Sequence, residues 1–275
     1  MSTAAIKAAI AAAAAQTNMN EAQAGGGDGP RLADAGLTRL RFISYIELGT
    51  HESEIKGEKK RKKKVLLQFE LSGPKHPVLT TEDGRAVPFI IKVEENLSLN
   101  EKANFYKLFR RMNHTGQYTH IAEMLGNEFL GTVVHAAGKG ANEGKTYANL
   151  RDDGGHTIRP PYLDDPETGE SKKIEVQAAL TPIRCFLWDY ADKEQWDSIF
   201  IDGVWEPRTD AAGKVTSEGR SKNVYQNTIK AALDFAGSPI SDLLFSDGAG
   251  LTLPDAENPE RGEGAPAEDP LEGVA

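Results

Sequence analysis

Cysteine is nearly missing from this sequence. Cys185 stands alone, which excludes a disulfide within the chain and makes a reducing cytosol its natural compartment. Long apolar runs are missing too. A membrane-spanning helix needs about 20 consecutive apolar residues, and no stretch supplies them, so no membrane partner is expected. The alanine-rich start lacks the basic opening and the Leu/Val core of a secretion signal. Net positive charge is lacking as well. The total is −9, which taken alone argues against a nucleic-acid partner.

The constellations of enzyme chemistry are also absent. Gly144-Lys145-Thr146 ends a glycine-rich stretch like a phosphate-binding loop, but Lys139 occupies the position where that motif needs its first glycine. Strand-forming Tyr147-Ala148-Asn149-Leu150 follows, where a helix is required. His114 and His120 have no cysteine or carboxylate at metal-ligand spacing. Asp189 and Asp192 lack the surroundings of an acid/base pair. Catalysis, a cofactor and a metal are therefore not expected.

What is present is segregated charge. Residues 247–275 hold eight acidic residues against Arg261 alone, a charge of −7, which leaves −2 for residues 1–246. Within that near-neutral body, Lys56, Lys59, Lys60, Arg61, Lys62, Lys63 and Lys64 fall inside nine residues, opposed only by Glu58. Such a run occurs in solvated loops and localisation signals, and also in nucleic-acid sites.

Hydrophobic periodicity gives the framework. Residues 1–36 read as a disordered arm, broken at Gly25-Gly26-Gly27-Asp28-Gly29-Pro30. Leu40, Phe42, Ser44, Ile46 and Leu48 then alternate with Arg39, Arg41, Ile43, Tyr45 and Glu47, the pattern of a half-buried strand. Beyond the basic run, Val65, Leu67, Phe69 and Leu71 share one face of a second strand. Val87, Phe89, Ile91 and Val93 share one face of a third. The period becomes helical at Phe105, Leu108, Phe109 and Met112, with Asn100 as the expected cap. A shorter helix over 118–125 stops at Gly126. Strands are expected at 128–135 and 145–151, joined by a loop at 138–144.

Residues 152–246 are too apolar for a linker. A hairpin tip at 165–169, a strand at 183–188, a helical turn at 193–200 and a helix at 221–236 are expected to pack on the first region as an elaboration. Residues 247–275, rich in Pro, Gly and acid, read as a disordered tail.

Three strands, a helical segment and two strands make a mainly β fold with helices (α+β). The order is that of a five-stranded OB-fold barrel with a helical insertion between strands 3 and 4 and a C-terminal elaboration. Other small barrels and sandwiches share this order, because order alone does not fix pairing. OB-folds bind oligonucleotides across strands 2 and 3 and with the loops joining strands 1 to 2 and 4 to 5. The first of those loops would be the basic run, and the second would carry Lys139 and Lys145.

Single strands offer phosphates and bare bases. If about five cations engage phosphates, log K falls with log salt at a slope of roughly −3.5, taking about −0.7 per contact. Aromatics stack on the bases. Tyr45 beside Arg39 and Arg41, and Tyr147 beside Lys145 and Arg151, are candidates for such a platform. Each tyrosine could equally pack beneath a loop. The tail reads as a nucleic-acid mimic that competes for the basic groove, or as a solubilising segment.

Several strings are similar to one family. They are Tyr45-Ile46-Glu47-Leu48-Gly49, Leu99-Asn100-Glu101-Lys102-Ala103-Asn104-Phe105-Tyr106-Lys107, Leu130-Gly131-Thr132-Val133-Val134 and Thr146-Tyr147-Ala148-Asn149-Leu150. Pro182-Ile183-Arg184-Cys185-Phe186-Leu187-Trp188-Asp189 and Trp196-Asp197-Ser198-Ile199-Phe200 follow. Over residues 37–240 the chain resembles the OB-fold single-stranded-DNA-binding proteins of tailed bacteriophages. The end, Leu271-Glu272-Gly273-Val274-Ala275, departs from the terminal aromatic that some of them carry. The resemblance implies a protein of replication, recombination and repair in the host cytoplasm. It would coat single-stranded DNA and recruit a polymerase, helicase or nuclease. A protein-interaction or virion component without a nucleic-acid role is the alternative.

Overall fold

A computed structural model of the chain describes residues 32–55, 58–81, 84–138, 143–209, 213 and 215–246. The acidic tail and most of the expected N-terminal arm lie outside the described residues. The last part of that arm belongs to the fold. Ala33 is buried, and its carbonyl meets His135 Nε2 at 2.8 Å.

The fold is mainly β with short helices. β1 (Gly36–Ile55) and β2 (Glu58–Ser72) form one long antiparallel hairpin. β3 (Leu79–Thr80) and β4 (Ala86–Val87) make a small ladder, and β5 (Phe89–Asn96) returns to pair with β2. α1 (Asn104–Met112) and a 3-10 turn (Ile121–Met124) precede β6 (Glu128–Ala137) and β7 (Thr146–Asn149). β8 (Arg151–Asp152) and β9 (Gly155–His156) form a tight hairpin, as do β10 (Tyr162–Asp164) and β11 (Ser171–Lys173) around the expected tip. β12 (Arg184–Phe186) and α2 (Lys193–Ser198) follow. A second ribbon pairs β13 (Val204–Trp205) with β16 (Arg220–Ser221), and β14 (Arg208–Thr209) with β15 (Val215–Ser217). α3 (Val224–Lys230) and α4 (Pro239–Ser246) close the described chain. No helix among the described residues is long and apolar enough to cross a membrane.

The main sheet runs β5-β2-β1-β6-β7, and β12 adds parallel to β1. Its inner face holds one core. Val65, Leu67, Phe69 and Leu71 of β2 meet Ile91 and Val93 of β5, as the alternation predicts, with Phe89 packed alongside. Phe105, Leu108 and Met112 of α1 close this core from the end, with Phe109 against it. Asn100 does not cap α1. Its side chain accepts from the Lys102 amide at 2.9 Å, forming a turn before a helix that starts at Asn104. Buried Glu95 of β5 takes Arg151 of β8 at 2.9 Å and His156 of β9 at 3.0 Å, which ties the β8–β9 hairpin to the sheet.

The outer face holds a second core. Ile46, Leu48 and Leu66 pack with Phe186, Trp188, Trp196, Tyr225 and Ile229. The C-terminal segment is therefore a layer laid on the sheet. The helix expected over 221–236 is shorter in the structure. α3 ends at Lys230, and Leu233 is exposed.

β1 is covered on both faces, and this overturns the simple alternation. The register slips between Phe42 and Ser44. One extra residue in a bulge reverses the side-chain parity beyond it. Leu40 and Phe42 face the first core, and after the slip Tyr45 faces it too, while Ile46 and Leu48 turn to the second.

Candidate nucleic-acid interface

The basic run is not a loop between strands. Residues 59–64 are the first part of β2, and Lys56 lies outside the described residues. The reason is register. Thr50, His51, Glu52, Ser53 and Glu54 of β1 stand opposite Lys63, Lys62, Arg61, Lys60 and Lys59. Carboxylates opposite cations offset the repulsion that a lysine-rich strand creates. Glu52 takes Lys59 at 3.0 Å and Arg61 at 3.4 Å, Glu58 takes Lys60 at 3.0 Å, and Glu94 takes Lys64 at 2.7 Å. The Lys59 hydrogen bond, helped by Arg61, holds the Glu52 carboxyl below its ordinary range. Because successive strand residues point to opposite faces, the cations line both sides of a basic ribbon. Lys59 and Arg61 keep 73% and 70% of their side chains exposed.

The root of the ribbon is fixed. The Thr50 amide and hydroxyl donate to Asp234 at 2.7 and 2.6 Å, and the Leu233 amide donates to the Thr50 carbonyl at 2.8 Å. Partial burial pushes the Asp234 carboxyl up, but the Thr50 hydrogen bonds outweigh it and hold the group below its usual value. Gly49, at φ +83°, allows the second core to reach this point. A Cβ there would sit 2.4 Å from the Trp188 ring and 2.6 Å from the Ala232 methyl.

Tyr45 does not belong to the expected stacking platform. Tyr45 is 0% exposed. Its hydroxyl donates to Glu47 at 2.9 Å, and burial drives its pKa far upward. The bulge withdraws this residue from any surface. Arg41 is likewise engaged. It donates to the carbonyls of Gly126, Val176 and Gln177 and pairs with Glu128. Its cross-strand neighbour Glu70 accepts the amides of Leu180 and Thr181, both at 2.8 Å. Together these two charges strap the 176–181 segment onto the sheet. Arg39 is half-buried beside Gly73. Tyr147 is half-buried on β7 opposite Ala136, with exposed Lys145 just before the strand. Arg151 falls on β8, held by Glu95 at 2.9 Å. Lys139 lies outside the described residues.

A groove of about 370 Å³ opens at the foot of the ribbon. Lys62 and Lys63 form one wall, and Asn96, Ser98, Lys102 and Asn104 lie along the other. The Leu97 amide donates to the Lys63 carbonyl at 2.8 Å, which fixes the two walls together. Glu95 also borders the groove, but it is paired with Arg151, and His156 Nε2 lies 3.0 Å from the same carboxylate oxygen. The sequence pattern did not single out this groove, because its walls come from residues some 40 positions apart in the chain.

Other chemistry finds little support. Among the described residues, no three His, Cys, Asp or Glu side chains gather as a metal site. Burial, and then the charge of Glu47, push the Cys185 thiol up to about 11, which leaves it protonated and unreactive at neutral pH. What the arrangement offers is a cationic ribbon, rigid at its root, that runs into a polar groove. Compared with known proteins, the chain matches no protein-family model, no curated protein and no solved structure.

Proposed function

We propose that the chain binds single-stranded DNA without sequence preference, with the phosphate backbone seated on the basic ribbon. One observation carries this reading. Six consecutive cations, residues 59–64, are held on a two-stranded ribbon with an anchored root. Lysine predominates there. Lysine is a flexible point charge suited to phosphates, whereas bidentate base readout favours arginine. The site thus supplies affinity and steering without base choice.

Two further points support it. The order β5-β2-β1-β6-β7, with α1 between β5 and β6, is compatible with an OB-type fold. OB-folds use the strand 1–2 connection to hold oligonucleotides. The acidic segment 247–275 complements the ribbon in charge. In this reading it competes with DNA for the ribbon and recruits a polymerase, helicase or nuclease. In this reading the activity belongs to DNA replication, recombination and repair in a bacterial host cytoplasm.

The test is a titration of labelled oligo-dT with the full chain, repeated with unlabelled duplex as competitor. Binding that survives duplex competition and weakens with salt is expected. No salt-sensitive binding at submicromolar protein would exclude this reading and favour a protein-docking role for the ribbon.

A further inference from the structure

We propose that the nucleic-acid path continues beyond the ribbon, across the groove at its foot and along the outer face of α1, through Lys102, Lys107, Arg110 and Arg111. This rests on the single-strand reading and extends it to a second set of contacts.

The first argument is compensation. On the ribbon, Lys59, Lys60, Arg61 and Lys64 each face a carboxylate. Around α1 the balance differs. The helix Asn104–Met112 contains Lys107, Arg110 and Arg111 and no acidic residue, and all three cations are exposed. Among the described residues, none of these three, nor Lys102, joins an ion pair. A merely solvated helix face usually mixes signs and forms pairs three or four residues apart.

The second argument is placement. Arg110 and Arg111 lie in the last turn, where the helix dipole welcomes a cation, so the helix's own stability accounts for them. It does not account for Lys102. That residue stands just before the first turn, at the positive end of the dipole, where a cation is unfavourable. The cap residue there, Ala103, supplies no side-chain acceptor. Glu101 is the one carboxylate beside it in sequence. Across the groove, Lys62 and Lys63 line the facing wall, one side chain to each face of the ribbon, with the Lys63 charge acting on Asp234. Lysines from both walls and a helix start without a side-chain cap thus border one polar groove, and Glu95, the one acidic residue in its lining among the described residues, is paired with Arg151. A phosphodiester chain fits that chemistry, and its next phosphates would meet Lys107 and the two arginines.

The test compares three full-length chains: wild type, a ribbon variant (K59Q, K60Q, R61Q) and a helix variant (K102Q, K107Q, R110Q, R111Q). Each is titrated with dT oligonucleotides of about 6 and about 20 nucleotides, which span the site sizes of an OB fold, over a range of salt. The helix variant is expected to lose up to about 2.8 from the wild-type salt slope, at about 0.7 per single-strand contact. It should lose more affinity for the longer oligonucleotide than for the shorter. Lysine acetylation of the wild-type chain, read by mass spectrometry, supplies a measurement free of mutation. Bound dT should protect Lys102 and Lys107. If the wild type binds DNA and the ribbon variant is impaired, while the helix variant keeps its slope and both lysines stay reactive, the path ends at the ribbon and the inference is overturned. If the wild type does not bind at all, the single-strand reading itself fails.

Discussion

Glu52 decides how much of the ribbon's charge is available. It holds Lys59 and Arg61 together, and its own carboxyl is kept below the usual range mainly by the Lys59 hydrogen bond. A depressed carboxyl gives its pairing above the ordinary carboxylate value and loses it as pH falls through the depressed one. Glu52→Gln should therefore free two cations, tighten oligo-dT binding and steepen the salt slope by about 1.4. The part of the pH dependence that comes from acid release of this pair should vanish in the variant. Weaker binding would show instead that Glu52 orders the cations for the ligand. Tyr45 makes the opposite point. It was legible as an aromatic beside two arginines, yet it is a core residue whose hydroxyl serves Glu47. Tyr45→Phe should cost about 1–2 kcal/mol in denaturant unfolding, through the lost bond to a charged acceptor, and leave DNA affinity unchanged. A loss of affinity without a loss of stability would put this ring on the ligand.

At the scale of elements, the long hairpin owes its shape to two irregularities, the slip after Phe42 and the one at Gly49. Gly49→Ala should cost about 2–4 kcal/mol, because it adds a methyl against Trp188 at a positive φ. Urea midpoints and Trp188 fluorescence would report it, and an unchanged midpoint would mean that the ring has room to move. The elements themselves were largely readable. Val65, Leu67, Phe69 and Leu71, and the helical spacing of Phe105, Leu108 and Met112, gave their faces directly, because one buried face imposes a strict period. Two features were not readable. A bulge reverses parity without leaving a sequence mark at Ile43, since both faces of β1 are covered and apolar residues stand at both parities around it, Phe42 and Ile46 on one and Ile43 and Tyr45 on the other. The lysine run looked like a loop because a solvated ribbon has no apolar alternation. Its strand character comes from the pairing of residues 50–54 with 59–63 across the hairpin, with Glu52 taking Lys59 and Arg61, a pairing that no local window contains. The α1 cations Lys107, Arg110 and Arg111 belong to no motif that the periodicity marks. Their single sign over residues 102–111, broken only at the groove-side asparagine Asn104 and the apolar positions, was the signal that could have marked them.

For the whole molecule, the governing feature is the separation of charge between a near-neutral body and a tail of −7. If the tail competes for the ribbon, deleting residues 247–275 should tighten oligo-dT binding at low salt and matter less as salt rises, since screening weakens both partners. Equal affinity with and without the tail would remove it from the competition. The groove at the ribbon's foot could be found only in three dimensions, because β2, the end of β5 and the start of α1 each bring part of it. The most direct test of the account is the salt dependence of oligo-dT affinity, measured by anisotropy for the full chain and for a chain with residues 59–64 neutralised. The account predicts a wild-type log–log slope near −3.5 or steeper, and a clearly flatter slope with weaker binding to all sequences alike in the variant. Salt-insensitive binding, or the same slope in both chains, would contradict it.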